Sequence, residues 1–225
     1  MRIGLTPEKH GNQPLKTIIE NLPTLCETSG QRIKHDARGE VFQLRSQGWT
    51  LAVKRFFPLT MPLKRLPRRL LKGRTAPSVW HRSREAYGRG IPLAQPLGFN
   101  QPGSAMGEGF IAFEWREGTP VAEWLTQPGR PNAEQRECIF KLATIVAHMH
   151  AAAVSHGDLK PRNILVCRGD IVLIDPDAIR IHRFRAGLAK RIRRDLKTIT
   201  EGLASAGVSQ GLLSQFEEHV WCEQR

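Results

Sequence analysis

An α+β protein of two lobes, an antiparallel sheet followed by helices, is what this 225-residue sequence predicts. Three observations predict it. Strand-like runs dominate residues 40–56, and a compact apolar run, Phe110-Ile111-Ala112-Phe113, follows them. A Gly/Pro-rich connection occupies 118–131. A long amphipathic helix and a short apolar hairpin come after it. The boundary between the lobes is placed near Trp115, so the division runs 1–114 and 115–225. Hydrophobic residues make up 40% and charged residues 24%, a globular balance that excludes a disordered tail or a fibrous repeat. Such a length can bury a sizeable core.

Each element has its own signal. A short helix is expected around Leu15–Asn21, ended by Pro23. Glu40-Val41-Phe42-Gln43-Leu44 alternates polar and apolar residues, as a half-buried strand does. Gln47-Gly48 makes the turn, and Trp49 to Phe56 forms the next strand. Ser78 can cap a helix running through Tyr87, stopped by Gly88 and Gly90. The strongest helix spans Asn132 to about Ala152. Asn132 is expected as its cap, and Gln135 closes a capping box. Cys138, Leu142, Ile145 and Met149 form its buried stripe.

The net charge is +13 and unevenly spread. From Leu51 to Gly90 there are eleven Lys/Arg against one acid, Glu85. From Ala178 to Lys197 there are eight against one, Asp195, so the rest of the chain is slightly acidic. Two basic zones on such a background point to an anionic partner, with a solvated basic surface as the plain alternative. Between Met61 and Gly73, leucines alternate with Lys64, Arg65, Arg68, Arg69 and Lys72. That pattern suits either a membrane surface or a helix docked on the protein's own core. Aromatic residues are 7% and no stacking platform accompanies the basic zones, so no nucleic acid is expected. Cys26, Cys138, Cys167 and Cys222 lie far apart without a CxxC pair, which reads as free thiols rather than a disulfide scaffold or zinc ribbon. The N-terminus has no apolar signal region, and no stretch approaches the ~18 apolar residues of a membrane span.

The chemistry concentrates in His156-Gly157-Asp158-Leu159-Lys160-Pro161-Arg162-Asn163, followed by two apolar strands and Asp175-Pro176-Asp177. With a three-residue turn, Arg168-Gly169-Asp170, the strands 164–167 and 171–174 form a hairpin that sets Asn163 directly opposite Asp175. An amide oxygen and a carboxylate at that separation can share one hard divalent cation, and Mg²⁺ wants few protein oxygens plus phosphate. Asp158, on the loop entering the hairpin, can take the proton of an attacking hydroxyl. Lys160 beside it can neutralise charge on a phosphoryl group. These residue types describe metal-assisted phosphoryl transfer. Asp177 is expected either as a second metal ligand or, with slight preference, as a helix cap.

HGDLKPRNILV followed by IVLIDPD resembles the catalytic loop and metal segment of the protein-kinase-like superfamily. The resemblance, over about residues 35–200, implies a bilobal protein-kinase-like fold with a small antiparallel-sheet N-lobe and a shortened, mainly helical C-lobe. It implies Asp158 as catalytic base, Lys160 as phosphate contact, and Asn163 and Asp175 as metal ligands, with ATP and Mg²⁺ as cofactors. Leu51-Ala52-Val53-Lys54 resembles the strand whose lysine holds the nucleotide phosphates, and Glu85 the helix glutamate that pairs with it. Phe113-Glu114-Trp115 resembles the hinge that meets adenine, so Glu114 is a nucleotide-binding candidate. Gly39 stands alone where a glycine-rich loop is expected, and Val41 matches the residue that roofs adenine. Gly157 replaces an arginine that reads phosphorylated activation loops, and no Ala-Pro-Glu follows.

The trimmed pattern, with the basic insertion 58–77 and Arg191-Ile192-Arg193-Arg194-Asp195-Leu196, most resembles the bacterial lipopolysaccharide core (Kdo/heptose) kinases. That likeness implies phosphorylation of an inner-core sugar hydroxyl by a peripheral enzyme on the cytoplasmic face of the bacterial inner membrane. Basic segments 54–74 and 180–197 would meet an anionic glycolipid or other phosphorylated acceptor there. It further suggests that Asp195 braces the catalytic loop. An atypical Ser/Thr protein kinase or a small-molecule (aminoglycoside- or choline-like) kinase is the alternative. A catalytically silent binding module is disfavoured because Lys54, Glu85, Asp158, Asn163 and Asp175 are all present.

Overall fold

A computed structural model describes residues 1–6, 11–36, 39–58, 75–103, 108–183 and 187–223. The chain folds as two compact units, α+β in character. The first takes Met1–Arg84 and Ala94–Trp115, and the second takes Glu85–Leu93 and Arg116–Arg225. The expected N-lobe helix is therefore divided. Helix α3 (Ala76–Gly88) gives its residues up to Arg84 to the first unit and Glu85 onward to the second. Thr75 donates its backbone N–H to the Ser78 hydroxyl at the start of α3, so Ser78 reaches back to the cap from inside the helix. The basic segment at 61–73 lies outside the described residues.

The first unit is a six-stranded antiparallel sheet in the order β1-β5-β6-β4-β3-β2. Its strands are β1 (Arg2–Leu5), β2 (Gln31–Asp36), β3 (Gly39–Ser46), β4 (Trp49–Phe56), β5 (Pro96–Gln101) and β6 (Gly109–Glu114). The β3–β4 turn, Gln47-Gly48, has φ of 47° and 80° at its two residues, the signature of a two-residue hairpin that follows the right-handed twist of the strands.

One face of the sheet buries Phe42, Leu44, Leu51, Val53 and Phe110 against helices α1 (Gln13–Glu20) and α2 (Leu22–Thr28). Pro23 does not end the first helix; it sits in the first turn of α2, where a missing N–H costs nothing. Leu15, Ile18 and Ile19 supply the buried face of α1. The fully buried Asn100 amide of β5 donates to the carbonyls of Ile19 and Glu20, satisfying the end of that helix.

On the core-facing side of β3 and β4, Glu40 stands opposite Arg55. Glu40 is 6% exposed, and its carboxylate accepts from Arg32 at 3.0 Å and Arg55 at 3.2 Å, with His35 at 3.1 Å. Arg55 also donates to Glu108. Burial alone would raise the Glu40 pKa, but the hydrogen bonds from Arg32 and His35 and the Arg55 charge bring it below the usual carboxylate value. Cys26 lies in the same corner, and burial pushes its thiol up to about 12, which makes it an inert core residue.

The second unit is mainly helical. It contains β7 (Thr119–Pro120), α4 (Val121–Leu125), α5 (Asn132–Ala151), β8 (Val154–Ser155), β9 (Ile164–Cys167), β10 (Asp170–Leu173), β11 (Arg180–Ile181), α6 (Leu188–Ser205) and α7 (Gln210–Glu223). The Gly/Pro-rich connection is partly ordered into β7, which pairs with β9, and α4, which buries Val121, Ala122 and Leu125. Cys138, Leu142 and Met149 of α5 pack in the core with Leu203 of α6 and Phe216 of α7, while Ile145 is only partly buried. The N-cap of α5 is Pro131 rather than Asn132, and no side chain caps it. Gln135 instead donates to the carbonyl of Leu125, tying α5 to α4. Among the described residues no helix is long and apolar enough to cross a membrane.

The Glu40 cluster makes a pH prediction. A carboxylate whose pKa is lowered by folding contributes stability above its unfolded pKa and loses it as pH falls through the lower, folded value. The unfolding free energy should therefore decline below the ordinary carboxylate range. In Glu40→Gln that acid-side decline should be smaller, and the stability at neutral pH lower by about 1–3 kcal/mol because the charged hydrogen bonds from Arg32 and Arg55 to a buried carboxylate are lost, although Arg55 keeps Glu108. Denaturant melts at neutral and acid pH check both outcomes.

Candidate active site

The second unit builds a loop from His156 to Asn163 and holds it from three sides. At its entrance β8 pairs with β11, Ser155 opposite Arg180 and Val154 opposite Ile181. From below, the Asp195 carboxylate, 0% exposed on α6, accepts the backbone N–H of His156 through one oxygen and that of Gly157 through the other, each at 2.8 Å. His150 Nε2 of α5 stands 3.6 Å from the same carboxylate. From the side, the buried His156 ring places Nε2 3.1 Å from the carbonyl of Ile174. A carbonyl only accepts, so this nitrogen carries the proton.

Gly157 is dictated by this geometry. Its φ is +78°, and a Cβ there would lie 2.7 Å from the carbonyl oxygen of Ala178. An arginine could not replace it without moving one of the two segments.

Leu159 is fully buried in the core, and its neighbours Asp158 and Lys160 turn outward on either side of it. Lys160 Nζ lies 2.8 Å from Asp158 Oδ1. The backbone N–H of Lys160 donates to the Asp158 carbonyl at 2.9 Å, and that of Asn163 to the Lys160 carbonyl at 2.8 Å. The buried Asn163 amide donates through Nδ2 to the Asp158 carbonyl at 2.9 Å. The loop is thus closed on itself by short local bonds, with Asn163 at the end of a 3₁₀ turn over Pro161–Asn163.

The hairpin differs from the expected one by one residue. Asp170 pairs with Cys167, and Leu173 with Ile164. The turn is the two residues Arg168-Gly169, with φ of 52° and 88°, instead of three. A two-residue turn with both φ positive matches the strand twist better than a longer one, and Gly169 accepts that conformation at no steric cost. Asn163 is therefore not opposite Asp175. Its carbonyl accepts from the N–H of Ile174 at 2.9 Å, and Asp175 follows one residue later. Asp175 has φ 55° and ψ 57°, a left-handed conformation that a non-glycine residue adopts only when its surroundings impose it. It also occupies the N-cap position of the 3₁₀ turn Pro176–Ala178, so Asp177 lies inside that turn and does not cap it.

Glu85 lies on α3, and its carboxylate accepts from Arg89 one turn on at 2.8 Å. Arg89 also donates to the carbonyl of Ala152. Sequence reasoning did not foresee this partner, although the i,i+4 spacing of Glu85 and Arg89 was there to read.

The first unit carries the remaining candidates. In the β3–β4 ladder Gly39 stands opposite Phe56 and Val41 opposite Lys54. Lys54 also faces Ile111 on β6. These positions alternate away from the face packed on α1 and α2, and Val41 and Lys54 are half-buried. Val41 is not part of that apolar core. Lys54 Nζ lies 5.9 Å from the centre of the Phe56 ring. Glu114 closes β6, its N–H bonded to the carbonyl of Gln95, and Trp115 donates to the carbonyl of Thr50.

A strand-borne lysine in one unit, and a braced Asp-Lys-Asn loop with a left-handed Asp after a hairpin in the other, define the class as a protein-kinase-like phosphotransferase. The lipopolysaccharide kinase (Kdo/WaaP) family model matches residues 68–216, and the chain belongs to that family. Two plant proteins from Oryza sativa subsp. japonica are similar over shorter stretches. One, serine/threonine-protein kinase/endoribonuclease IRE1, is 26% identical over 98 residues, which is 42% of this chain and 10% of that protein. The other, whose name places it among cyclin-dependent kinases (cyclin-dependent kinase F-2), is 37% identical over 71 residues, 29% of this chain and 22% of that protein.

The Asp195 brace is open to test. In Asp195→Asn one carboxylate oxygen becomes an amide N–H that faces a backbone donor, a mismatch costing about 1–3 kcal/mol in a buried position. The amides of His156 and Gly157 should then exchange with solvent at least ~10-fold faster, and unchanged protection would remove Asp195 from this role.

Proposed function

We propose that this protein transfers the γ-phosphate of ATP to a sugar hydroxyl of the lipopolysaccharide inner core, on Kdo or heptose. The observation that carries the reading is the Asp158–Lys160 pair, 2.8 Å apart on a loop braced by a buried carboxylate, within the segment that the family model covers. Asp158 takes the proton of the attacking hydroxyl, because its carboxylate projects from the loop beside a cation that is itself suited to the transferring phosphoryl group. Lys54 engages the nucleotide phosphates, Gly39 and Val41 cover the nucleotide, and Glu114 lies at the adenine edge.

Asn163 and Asp175 fit a magnesium ion. The Nδ2 of Asn163 is committed to the Asp158 carbonyl, so its oxygen is the atom for a cation, and Asp175 adds a carboxylate. Two oxygens from the protein suit an ion that takes most of its remaining ligands from water and phosphate. When bound there it would neutralise charge on the phosphates. Pairing of Glu85 with Lys54 is part of the proposal. The present Glu85–Arg89 pair is largely exposed, and surface pairs of this kind are worth about 0.3–0.5 kcal/mol, so exchanging partners is cheap.

The acceptor sits on an anionic lipid, and the basic segments 54–74 and 180–197 hold the protein to the inner face of the membrane, each basic residue near such a surface contributing about 1 kcal/mol. Lys190, Arg193, Arg194 and Lys197 of α6 are exposed, which supports this part of the reading.

Incubation with labelled ATP, Mg²⁺ and purified core glycolipid should label the lipid. Label appearing only on protein, or on a soluble amine or sugar, would instead favour a protein or small-molecule kinase. Asp158→Asn should lower turnover at least ~10²-fold while ATP binding is kept, and near-normal turnover would remove Asp158 as the base. Replacing Lys64, Arg65, Arg68 and Arg69 by Gln should weaken binding to anionic vesicles. Binding that stays unchanged and salt-sensitive would reject a membrane role for that segment.

A further inference from the structure

Two arginines and a histidine gather where the chain enters the loop at His156. Arg180 lies on β11, opposite Ser155 of β8. His182 comes just after it. Its backbone N–H donates to the carbonyl of Ala153 at 2.8 Å, and its Nε2 stands 2.9 Å from the Ser155 hydroxyl. Arg191 lies on α6, which packs against β8 and carries Asp195 one turn further on. A Cβ on Gly187, the residue before α6, would stand 3.9 Å from His182 Nδ1, so the end of β11 and α6 are neighbours.

Arg180 and Arg191 are both half-buried, and neither guanidinium makes a hydrogen bond or ion pair among the described residues. Asp195 is already satisfied by the N–H groups of His156 and Gly157, with His150 Nε2 3.6 Å away. Burial, and then the charges of Arg180 and Arg194, lower the pKa of Arg191. Burial, and then Arg191 and Arg180, lower that of His182. Positive charge is thus crowded here beyond what Asp195 offsets. Arginines withdrawn from solvent ordinarily have partners, because desolvating a charge is costly unless a counter-charge meets it. A phosphate dianion would supply one. It carries the charge to offset two guanidiniums, and its oxygens match their planar forks in parallel hydrogen bonds. The flat surface of a bilayer suits the exposed Lys190, Arg193, Arg194 and Lys197 better than these two recessed groups.

We propose that Arg180 and Arg191 form a binding site for one phosphate dianion, which ties β11 to α6 and tightens the start of the loop from His156 to Asn163. Arg180 stands across from the residue that precedes His156. Arg191 shares a helix with the carboxylate that holds the His156 and Gly157 N–H groups. An anion between them closes the frame on which the loop hangs. The site controls the loop and holds no reacting group, and it does not depend on which acceptor is phosphorylated. The phosphate is either free in solution or carried on a lipid headgroup.

The full chain is titrated with inorganic phosphate at low millimolar concentration, with ionic strength held by KCl, because concentrated phosphate stabilises proteins without occupying a site. Phosphate should raise Tm saturably. At about ten times its Kd it should slow exchange of the His156 and Gly157 amides ~10-fold. Arg180→Gln and Arg191→Gln should each weaken binding at least ~10-fold, the loss of one charge-assisted partner. Arg136→Gln, on the exposed face of α5, makes the same change in net charge and should leave binding unaltered. Phosphatidylcholine vesicles containing phosphatidic acid form a second arm. Vesicle binding that needs Arg180 and Arg191 and is displaced by inorganic phosphate assigns a headgroup, and phosphate binding without that dependence assigns the free anion. The proposal is overturned if phosphate raises Tm no more than KCl of equal ionic strength, if Arg180→Gln and Arg191→Gln keep the gain, or if Arg136→Gln loses it too. Unchanged exchange at His156 and Gly157 in the phosphate-bound protein removes the link to the loop.

Discussion

One buried carboxylate sets the geometry of the loop from His156 to Asn163. Asp195 has no solvent to stabilise its charge, so the two backbone N–H groups of His156 and Gly157 must do it. Those bonds fix the start of the loop against α6. Gly157 can then take a left-handed turn against Ala178, and Leu159 drops into the core two residues later. Alternation about that buried leucine is what turns Asp158 and Lys160 to the same side. The placement of the Asp158–Lys160 pair is thus a packing result, anchored by a group that touches neither member of it.

The first unit uses the same device. Glu40 is an acid held nearly out of solvent by Arg32 and Arg55, and it closes the end of the sheet core next to Cys26. In both units an inward carboxylate is matched to donors, while many Lys and Arg side chains stay outside. That division explains how a chain of net charge +13 can fold without internal repulsion. It also leaves a basic outer surface on α6, where Lys190, Arg193 and Arg194 surround the one acid that points in. Burial and its neighbours Arg180 and Arg194 lower the pKa of Arg191, a sign of how densely positive charge collects there.

Much of this architecture was legible because strong local signals agreed with one another. Trp49 to Phe56 is a strand with the bounds its composition implies, and the Asn132 helix covers the expected residues. The HGDLKPRN segment announced its loop through residue types alone. What escaped was decided by tertiary context. Asn132 looked like a cap, but Pro131 already had the required backbone, and Gln135 found a partner on α4. Pro23 looked like a terminator and is an initiator, because the chain turns at Asn21 and needs a rigid first residue pair for α2. Of the first thirty residues only the helix near Leu15–Asn21 was anticipated, as α1, since an edge strand and a second short helix draw their stability from the sheet they cover rather than from their own propensity. Glu85 is a different case: resemblance pointed to Lys54 as its partner, and the i,i+4 spacing also offered a local one, Arg89, with which it forms a pair.

The hairpin shows why a one-residue error in register matters here less than it would in a longer sheet. A slip of one position normally sends every side chain to the opposite face. Here both candidate residues, Asn163 and Asp175, lie just beyond the paired strands, which end at Ile164 and Leu173. Asn163 is oriented by a 3₁₀ turn, and Asp175 by a left-handed backbone that no ladder dictates. Two irregularities, one on each side, take over the orientation that a flat antiparallel pair would have supplied. The strain of a left-handed aspartate costs of order 1–3 kcal/mol and is tolerated because Pro176 is buried behind it and the Ile174 N–H is fixed to the Asn163 carbonyl in front. Aspartate tolerates that conformation better than most residues, so the position selects for the very side chain that can serve as a cation ligand.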